Sequence, residues 1–504
     1  MMENLNGKCV VLGITGGIAA YKMANVASAL RKAGADVHVI MTENATKIIT
    51  PLTFETLTNN RCVVDTFARD FKYDVTHISL AKAADLFVIA PATANVIAKM
   101  AHGIADDMLT TTVLAAKCKK LVAPAMNTGM LENPITQDNI HKLEKYGFEI
   151  IQPGSGLLAC QDVGSGRLPE PEEILDHISR AIAREKDLAG LRITVTAGPT
   201  QEALDPVRYL TNHSTGRMGY AIAREAMLCG AEVTLISGPV SIKKVPFVRT
   251  CPVTTAADML KAVQTALPET DILIKAAAVA DYRPAMVAED KMKKKDGDLS
   301  IPMERTDDIL GWVAKHRHEG LFVCGFSMET QNMLENSVKK LKKKNLDMIV
   351  ANNLKVAGAG FGVDTNVVTI ITSDGVHELP LMGKDEVARR LLEAMVYLSC
   401  GKSPRARADR ELIGFDRDMA RILGQMFTRD REFRTEVELF RGRRRKASVN
   451  GVPAKNNAAL SDVLHTVFFS PEDLMLIREG AAARRRFMDL SLCQHGAGHR
   501  RRLL

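Results

Sequence analysis

Apolar runs of strand length alternate with amphipathic stretches from Cys9 onward. CVVLGIT (9–15), ADVHVIMT (35–42), DLFVIAPATAN (85–95), KLVAPAM (120–126) and FEIIQP (148–153) are short and nearly continuous in their apolar character. Helical periodicity fills the gaps between them, beginning with a predicted helix over 17–33. Strands that are apolar on both faces and separated by helices belong to a parallel sheet covered on both sides. The alternation starts again with RITVTAG (192–198), EVTLISGP (232–239), DILIKAAAVADY (271–282), FVCGFSME (322–329) and DMIVANNL (347–354). Helices are predicted between these over 216–229, 255–266, 307–316 and 330–345. NVVTIITSDGVHEL (366–379) reads as a hairpin turning at Asp374-Gly375. The fold class is therefore α/β: two tandem doubly wound, mostly parallel, Rossmann-like domains, each binding ligands at the carboxyl ends of its strands.

Residues 151–200 join the two. They hold a glycine-rich loop around Cys160, an amphipathic helix, and a charged linker (Arg184, Glu185, Lys186, Asp187). A fresh strand then runs into the turn Ala197-Gly198-Pro199-Thr200. Glycines beside Cys160 permit turns closed to other residues, so the thiol can be carried over a neighbouring pocket.

At 504 residues the chain has length for two to four domains with real cores. It has no apolar run of membrane-spanning length, and its first residues lack a signal-peptide layout, so the cytoplasm is expected and a membrane is not. Nine cysteines, an odd number without a CxxC pair, speak against a disulfide framework and a zinc site. The net charge of +8 is misleading, because residues 401–504 carry 22 Lys+Arg against 13 Asp+Glu while the first 400 hold 45 against 46. The tail also prefers arginine where the rest prefers lysine. Its charge therefore says nothing about what the two domains bind.

In the first domain GITGGIAAYK (13–22) is a strand–turn–helix glycine loop. Its spacing is not GxGxxG, so a mononucleotide phosphate suits it better than a dinucleotide, with a plain tight turn as the alternative. Ala90 to Asn95 and Pro124 to Met130 pair proline with amides or hydroxyls at strand ends. By pattern alone, His77, in Thr76 to Leu80, reads first as a satisfied histidine at a strand edge or helix start. Cys9 and Cys324 lie inside apolar strands as core residues. Only Cys160 has a loop setting fit for chemistry.

Taken in order, GITGGIAAYK, THISL, APATAN, PAMNTGM and GLLACQDVGSGR closely resemble the FMN-dependent phosphopantothenoylcysteine decarboxylases over residues 7–182. The resemblance implies oxidative decarboxylation through a thioaldehyde, then return of hydride and a proton to an ene-thiol. It implies FMN contacts at Gly16, Gly17, Ile18, Thr93, Ala94 and Asn95. His77 matches the family's essential base-like histidine, Asn127 its substrate-carboxylate clamp with Met130 nearby, and Cys160 its proton donor. Leu131 stands where the family often has an aromatic residue.

In the second domain Asp205 to Gly219 lies between strand and helix, with Asn212, Ser214 and Thr215 available as caps. Lys291 opens the basic run KMKKK, whose plain reading is a solvated loop. Lys340 and Lys344 stand four apart on a predicted helix and share a face; beside lysines 339, 342 and 343, a solvated face is the simpler reading. The ordered set AGPTQEALDPVRYLTNHSTGRMG, AAAVADYRP, EDKMKKK, TDDIL, GFSMET and KKNLDMIVAN resembles phosphopantothenate–cysteine ligase over 188–392. That resemblance implies CTP-dependent amide synthesis through an acyl-cytidylate. It places Lys275, Ala276, Ala277, Asp281, Lys291, Asp307, Asp308, Ile309, Leu310, Phe326, Lys340 and Lys344 at CTP, Asn212 on the acyl intermediate and Arg208 beside it. Mg2+ would be held through the nucleotide phosphates.

From Leu391 onward LLEAMVYLSCGKSPRARADRELIGF, SVNGVPAK and VFFSPEDLMLIREGAAARRRFMDLSLCQ resemble the RecF-type DNA-repair ATPases. Gly401-Lys402-Ser403 looks like a phosphate loop, but Val396 occupies the place of its first glycine. The expected domains are thus 1–186 (flavin decarboxylase), 187–392 (ligase) and 393–504 (an incomplete α+β fragment without ATPase function). Expected partners are 4′-phosphopantothenate, cysteine and CTP, and not nucleic acid. The resemblance further implies flavin-domain trimers, ligase dimers and a possible dodecamer. The alternatives are a flavoprotein that decarboxylates peptidyl cysteine and a DNA-repair accessory protein acting through Arg441 to Lys446.

Overall fold

The computed structural model describes residues 3–67, 75–157, 161, 163–293, 300–328, 333–352, 363–372, 375–400, 419–427, 432–440 and 446–453. The chain forms two compact units, Met1–Arg184 and Glu185–Leu504.

The first unit is built on six parallel strands: β1 (Cys9–Ile14), β2 (Asp36–Met41), β3 (Cys62–Val63), β4 (Leu86–Ala92), β5 (Lys119–Pro124) and β6 (Phe148–Ile150). Their order is β3-β2-β1-β4-β5-β6, so the chain reverses its winding between β1 and β4 and opens a crevice at their carboxyl ends. β4 is buried along its whole length, as its unbroken apolar run requires. One face is covered by Met23, Leu30, Phe54, Ile174 and Ile178, the other by Ile97, Leu109, Val113 and Leu143. Each such side chain contributes about 1.5–3 kcal/mol on burial. Beyond β6 the chain makes an antiparallel hairpin, β7 (Gly154–Leu157) and β8 (Val163–Arg167), and the helix Pro171–Ile182 returns to the sheet.

The predicted helix over 17–33 is divided. Ile18–Lys22 is a tight 3-10 turn, and the α-helix proper runs Met23–Lys32. The Ala20 amide bonds the Gly17 carbonyl three residues back, which sets the tighter winding.

The second unit repeats the plan. Its strands are β9 (Arg192–Ala197), β10 (Gln201–Ala203), β11 (Tyr209–Thr211), β12 (Glu232–Ser237), β13 (Arg249–Pro252), β14 (Ile272–Lys275), β15 (Tyr282–Pro284), β16 (Met303–Arg305), β17 (Phe322–Met328), β18 (Met348–Asn352), β19 (Thr365–Asn366), β20 (Val368–Thr372) and β21 (Gly375–Glu378). The main sheet runs β13-β12-β9-β14-β17-β18-β20-β21, parallel up to β18 and antiparallel beyond it. Its switch point lies between β9 and β14. β10 pairs with β11 and β15 with β16, two small antiparallel ribbons that the alternation of apolar runs does not announce. Gly375 opens β21 opposite Thr372 rather than forming the expected turn, while Asp374 lies outside the described residues.

In the tail, Met419–Phe427, Glu432–Phe440, Lys446–Val449 and Val452–Pro453 form a four-stranded antiparallel sheet. Gly401, Lys402, Ser403 and Arg441 lie outside the described residues.

Candidate active sites

In the first unit the crevice is closed by a chain of cross-links between successive strand ends. Thr15, fully buried just after β1, donates its hydroxyl to the Pro91 carbonyl at 2.6 Å and accepts from the Thr93 amide at 3.1 Å. An unpaired group there would cost about 1–3 kcal/mol, so the hydroxyl fixes the Pro91 and Thr93 backbone against the glycine loop. The Ala125 amide bonds Ala92, tying β4 to β5. Met126 then bonds the Gly166 carbonyl, and the Thr128 hydroxyl donates to Ser165, tying β5 to the hairpin. Lys22 and Arg167 both pair with Glu170, at 3.0 and 2.6 Å.

The cradle inside is made of small groups. A Cβ on Gly17 would stand 3.2 Å from the Pro91 ring, and one on Gly16 2.7 Å from Asn44 Cβ. Thr93 stands at the N-cap position of the helix Ala94–His102 without a side-chain capping bond, and Ala94 is half-buried and Asn95 exposed at the helix start. Ile18 and Met130 are exposed apolar side chains. Backbone amides, small residues and an apolar rim fit a flat aromatic ring carrying a phosphate, and the donor set suits FMN. These amides open a 3-10 turn rather than the expected α-helix.

Asn127 caps the short helix Thr128–Leu131 with its Oδ1 on the Gly129 amide at 2.8 Å. The hairpin β7–β8 packs against this turn because Gly164 and Gly166 have no side chain. A Cβ on Gly166, whose φ is +117°, would lie 2.2 Å from the Met126 carbonyl oxygen. Cys160 falls between the two hairpin strands and lies outside the described residues. His77 is the second residue of the helix Thr76–Ala83 and half-buried, which resolves its backbone setting as a helix start. Leu131 is buried. Burial pushes the Cys9 thiol up to about 11 and Cys62 up to about 12, and raises Cys118 and Cys324; Cys324 is a core residue as expected, whereas Cys9, at the start of β1, is only half-buried.

In the second unit the segment Ala276–Asp281 following β14 is pinned from both sides. The Ala277 amide bonds the hydroxyl of Thr196 at 3.2 Å, and the Ala280 amide that of Thr200 at 3.0 Å; both threonines are fully buried. From the other side Thr306 donates its hydroxyl to the Ala280 carbonyl, and its amide bonds Asp281. Asn212 donates its side-chain amide to the Ala278 carbonyl at 2.9 Å. It does not cap the following helix. Gly216, in the left-handed region, occupies that place, with Ser214 accepting from its amide.

Around this segment the charges converge. Burial, then the Lys340 ammonium, pushes Lys275 down to about 8, against the pull of Asp308 and Asp281. Lys344 pairs with Asp308, whose other oxygen caps the helix Ile309–His316 on the Gly311 amide. Lys340 donates to the Phe326 carbonyl at 3.2 Å. Lys340, Lys344 and Phe326 are half-buried, while Lys339, Lys342, Lys343, Asp281 and Asp307 are exposed. The helix runs Met333–Lys343, so Lys344 lies in the turn just past its end rather than on it; the solvated-face reading holds for Lys339, Lys342 and Lys343 and fails for Lys340 and Lys344, which turn inward. Ile309 and Leu310 are a correction of another kind: their side chains are 2% and 7% exposed and belong to the core, so only their backbone can meet a ligand. Lys291 is exposed. Arg208 is committed internally: its Nε lies 2.9 Å from Asp205 and its Nη2 2.8 Å from the Met292 carbonyl. Thr15, Thr196, Thr200, Thr306 and Asp205 were not singled out by sequence reasoning. A threonine at the end of an apolar strand, just before a glycine turn, was the available signal at Thr15 and Thr196, whereas Thr200 closes the turn that follows β9.

Two family models match the chain: Flavoprotein over residues 1–183, and the DNA/pantothenate metabolism flavoprotein C-terminal domain over 188–398. The coenzyme A biosynthesis bifunctional protein CoaBC of Bacillus subtilis is 48% identical over 399 residues, covering 78% of this chain and 98% of that protein. The chain belongs to the CoaBC family. The Vibrio cholerae CoaBC is 44% identical over 78% of this chain and 98% of its own length. A crystal structure of the C-terminal domain of a CoaBC protein is 42% identical, covering 42% of this chain and 97% of that one, with a TM-score of 0.37. The chain is thus a flavoprotein enzyme of coenzyme A biosynthesis, with a decarboxylase and a ligase activity.

Proposed function

We propose that the second unit joins 4′-phosphopantothenate to cysteine at the expense of CTP. The first unit then decarboxylates the product to 4′-phosphopantetheine. The observation that carries this division is the convergence of Lys275, Lys340 and Lys344 on the pinned Ala276–Asp281 segment, which suits a polyanion. Among the described residues, the cradle of the first unit is built instead of amides and small side chains.

In the ligase the carboxylate oxygen of 4′-phosphopantothenate bonds the α-phosphorus of CTP and pyrophosphate leaves. The cysteine amine then attacks the acyl carbon, and CMP leaves. Lys291 offsets charge growing on the α-phosphate and the lysine cluster holds the triphosphate; Mg2+, when bound with the nucleotide, would supply further charge neutralisation there. Ala276, Ala277, Asp281, Asp307, Asp308, the Ile309–Leu310 backbone and Phe326 line the nucleotide pocket. Asn212 holds the acyl intermediate, with Arg208 beside it. In the decarboxylase Gly16, Gly17, Ile18, Thr93, Ala94 and Asn95 hold FMN, which when bound supplies a hydride acceptor and donor. Asn127 binds the substrate carboxylate with Met130 beside it, and His77 acts as base. Cys160, which lies in sequence between Leu157 and Val163, returns the proton.

The domains are read as 1–186, 187–392 and an appended 393–504 without ATPase function. Trimers through the flavin unit, dimers through the ligase unit and a dodecamer combining them are the proposed assembly, in the cytoplasm. Among the described residues no helix is long and apolar enough to cross a membrane. The test is direct: purified chain with 4′-phosphopantothenate, cysteine and CTP releases pyrophosphate, CMP and CO2. Equal rates with ATP would refute the assignment of CTP, and a colourless preparation would refute that of FMN.

A further inference from the structure

Asp205 is a fully buried carboxylate whose neighbours are mostly backbone. Its Oδ1 accepts from the amides of Val207 and Arg208 at 2.9 and 2.8 Å. Its Oδ2 accepts from Arg208 Nε at 2.9 Å, from Arg208 Nη2 at 2.5 Å and from the Met292 amide at 3.1 Å. The Arg208 side chain, with these amides, holds the carboxyl well below the ordinary carboxylate range, so it is ionised throughout any working pH. The same guanidinium reaches past the carboxylate to the Met292 carbonyl at 2.8 Å.

Both polar backbone groups of Met292 are therefore taken by one ion pair. Because peptide units are planar, fixing the Met292 N–H orients the Lys291–Met292 peptide, and fixing its C=O orients the next one. Three residues before Lys291, the Ala288 amide bonds the Leu204 carbonyl at 3.0 Å, beside Asp205. The backbone of Lys291 is thus held on both sides while its side chain remains exposed. The turn that does this is closed on itself, Leu204 to Arg208 at 2.8 Å, and leads directly through β11 to Asn212. One buried carboxylate stands at the root of both segments.

We infer that Asp205, with Arg208 as its bridge, is a positioning residue that sets Lys291 against the reacting phosphate. The inference rests on the role given to Lys291 above. A displacement of about 1 Å at such a group costs on the order of 100-fold in rate, so the hold on Met292 is read in turnover and not in nucleotide affinity.

The test is a double-mutant cycle in the full chain with Asp205→Asn and Lys291→Ala, ligation and decarboxylation being measured on each variant. Asparagine keeps an oxygen for the Val207 and Arg208 amides but turns an NH2 donor toward Met292 N–H. Asp205→Asn is expected to lower ligase kcat at least ~10-fold with the KM for CTP changed less than ~3-fold. It should cost nothing more once Lys291 is alanine, and leave decarboxylation alone. Equal losses from Asp205→Asn with and without Lys291, or a rise in KM with kcat intact, overturn the inference and spare the role of Lys291. An unaltered kcat in Lys291→Ala instead sinks that role, and this inference with it. In the wild-type chain the Met292 amide should exchange with deuterium more slowly than that of Lys293; equal rates would also overturn it, whatever the variants do.

Discussion

At the carboxyl end of β1 the chain presents a buried threonine, two glycines and an exposed isoleucine. Across the corresponding crevice of the second unit, at the end of β14, which holds the place of β4 beside β9, it presents a half-buried lysine, small residues and an exposed aspartate. The strand orders around the two positions are the same, β3-β2-β1-β4-β5-β6 and β13-β12-β9-β14-β17-β18. What differs is how each crevice is closed. In the first unit neutral hydrogen bonds and close glycine contacts link one strand end to the next, with charge confined to the Lys22–Glu170–Arg167 pairs beside the hairpin. In the second a similar threonine scaffold carries a cluster of three lysines and two aspartates. One architecture serves two chemistries because topology sets where the crevice lies, while its electrostatics come from a few side chains at the rim.

The sharpest way to break this comparison is to damage each crevice alone. Lys291→Ala should lower ligation by about 10²–10³-fold and leave decarboxylation unchanged. Its counterpart is Gly166→Ala. The new methyl would meet the Met126 carbonyl, a clash worth about 1–3 kcal/mol that lifts the hairpin from Asn127. Decarboxylation should fall about 100-fold and ligation hold, as coupled assays on one preparation would show. A parallel loss of both activities in either variant would mean that the units do not act as separate sites.

A pH series comes next in size. Folding moves Lys275 down to about 8 from the ordinary lysine value of 10.5, through burial and then the Lys340 ammonium. The native lysine thus gives up its proton before the unfolded one does. The cost of its buried charge is full below about pH 8 and is relieved as pH rises from there towards the unfolded value, so this group's contribution to stability grows over that window. A bound triphosphate favours the ammonium and takes up one proton above pH 8. The Kd for CTP, followed by calorimetry, should then rise about tenfold per pH unit above that point, and Lys275→Met should flatten the dependence.

Thr15→Val leaves the Thr93 amide without its acceptor and should weaken flavin retention roughly tenfold, read as flavin lost on gel filtration. The smallest contrast lies on a single helix: Lys340→Ala should raise the KM for CTP a few-fold, about 0.5–1 kcal/mol, whereas Lys339→Ala, on the exposed i,i+4 pair with Glu335, should change nothing measurable.

Much of this was legible in the chain. The unbroken apolar runs at 86–92 and 121–124 could only be strands buried on both faces, and their alternation with helices implied the parallel sheets. The ordered motifs pointed to the clefts and to the family. Less legible were the small ribbons β10–β11 and β15–β16, whose strands are three residues long and carry no period. The glycine loop looked like a helix start, yet Gly17 leads into a 3-10 turn, because a few residues of either helix read alike. Lys340 and Lys344 looked like their solvated neighbours, since helical spacing shows which residues share a face but not what that face meets.

By itself, then, the order of apolar and polar residues determined the strands, their parallel pairing and the crevice end of each sheet, because burial and backbone hydrogen bonding act locally and repeat with the element's own period. Tertiary structure alone decided that Thr15 would lock Pro91 and Thr93, that two lysines of five would turn inward, and that Asp205 would grip Met292. These contacts join residues 76, 78 and 87 positions apart, together with a helix and the strand it packs on. No periodicity in a chain reaches across such distances; only the closed sheet brings the partners within bonding range.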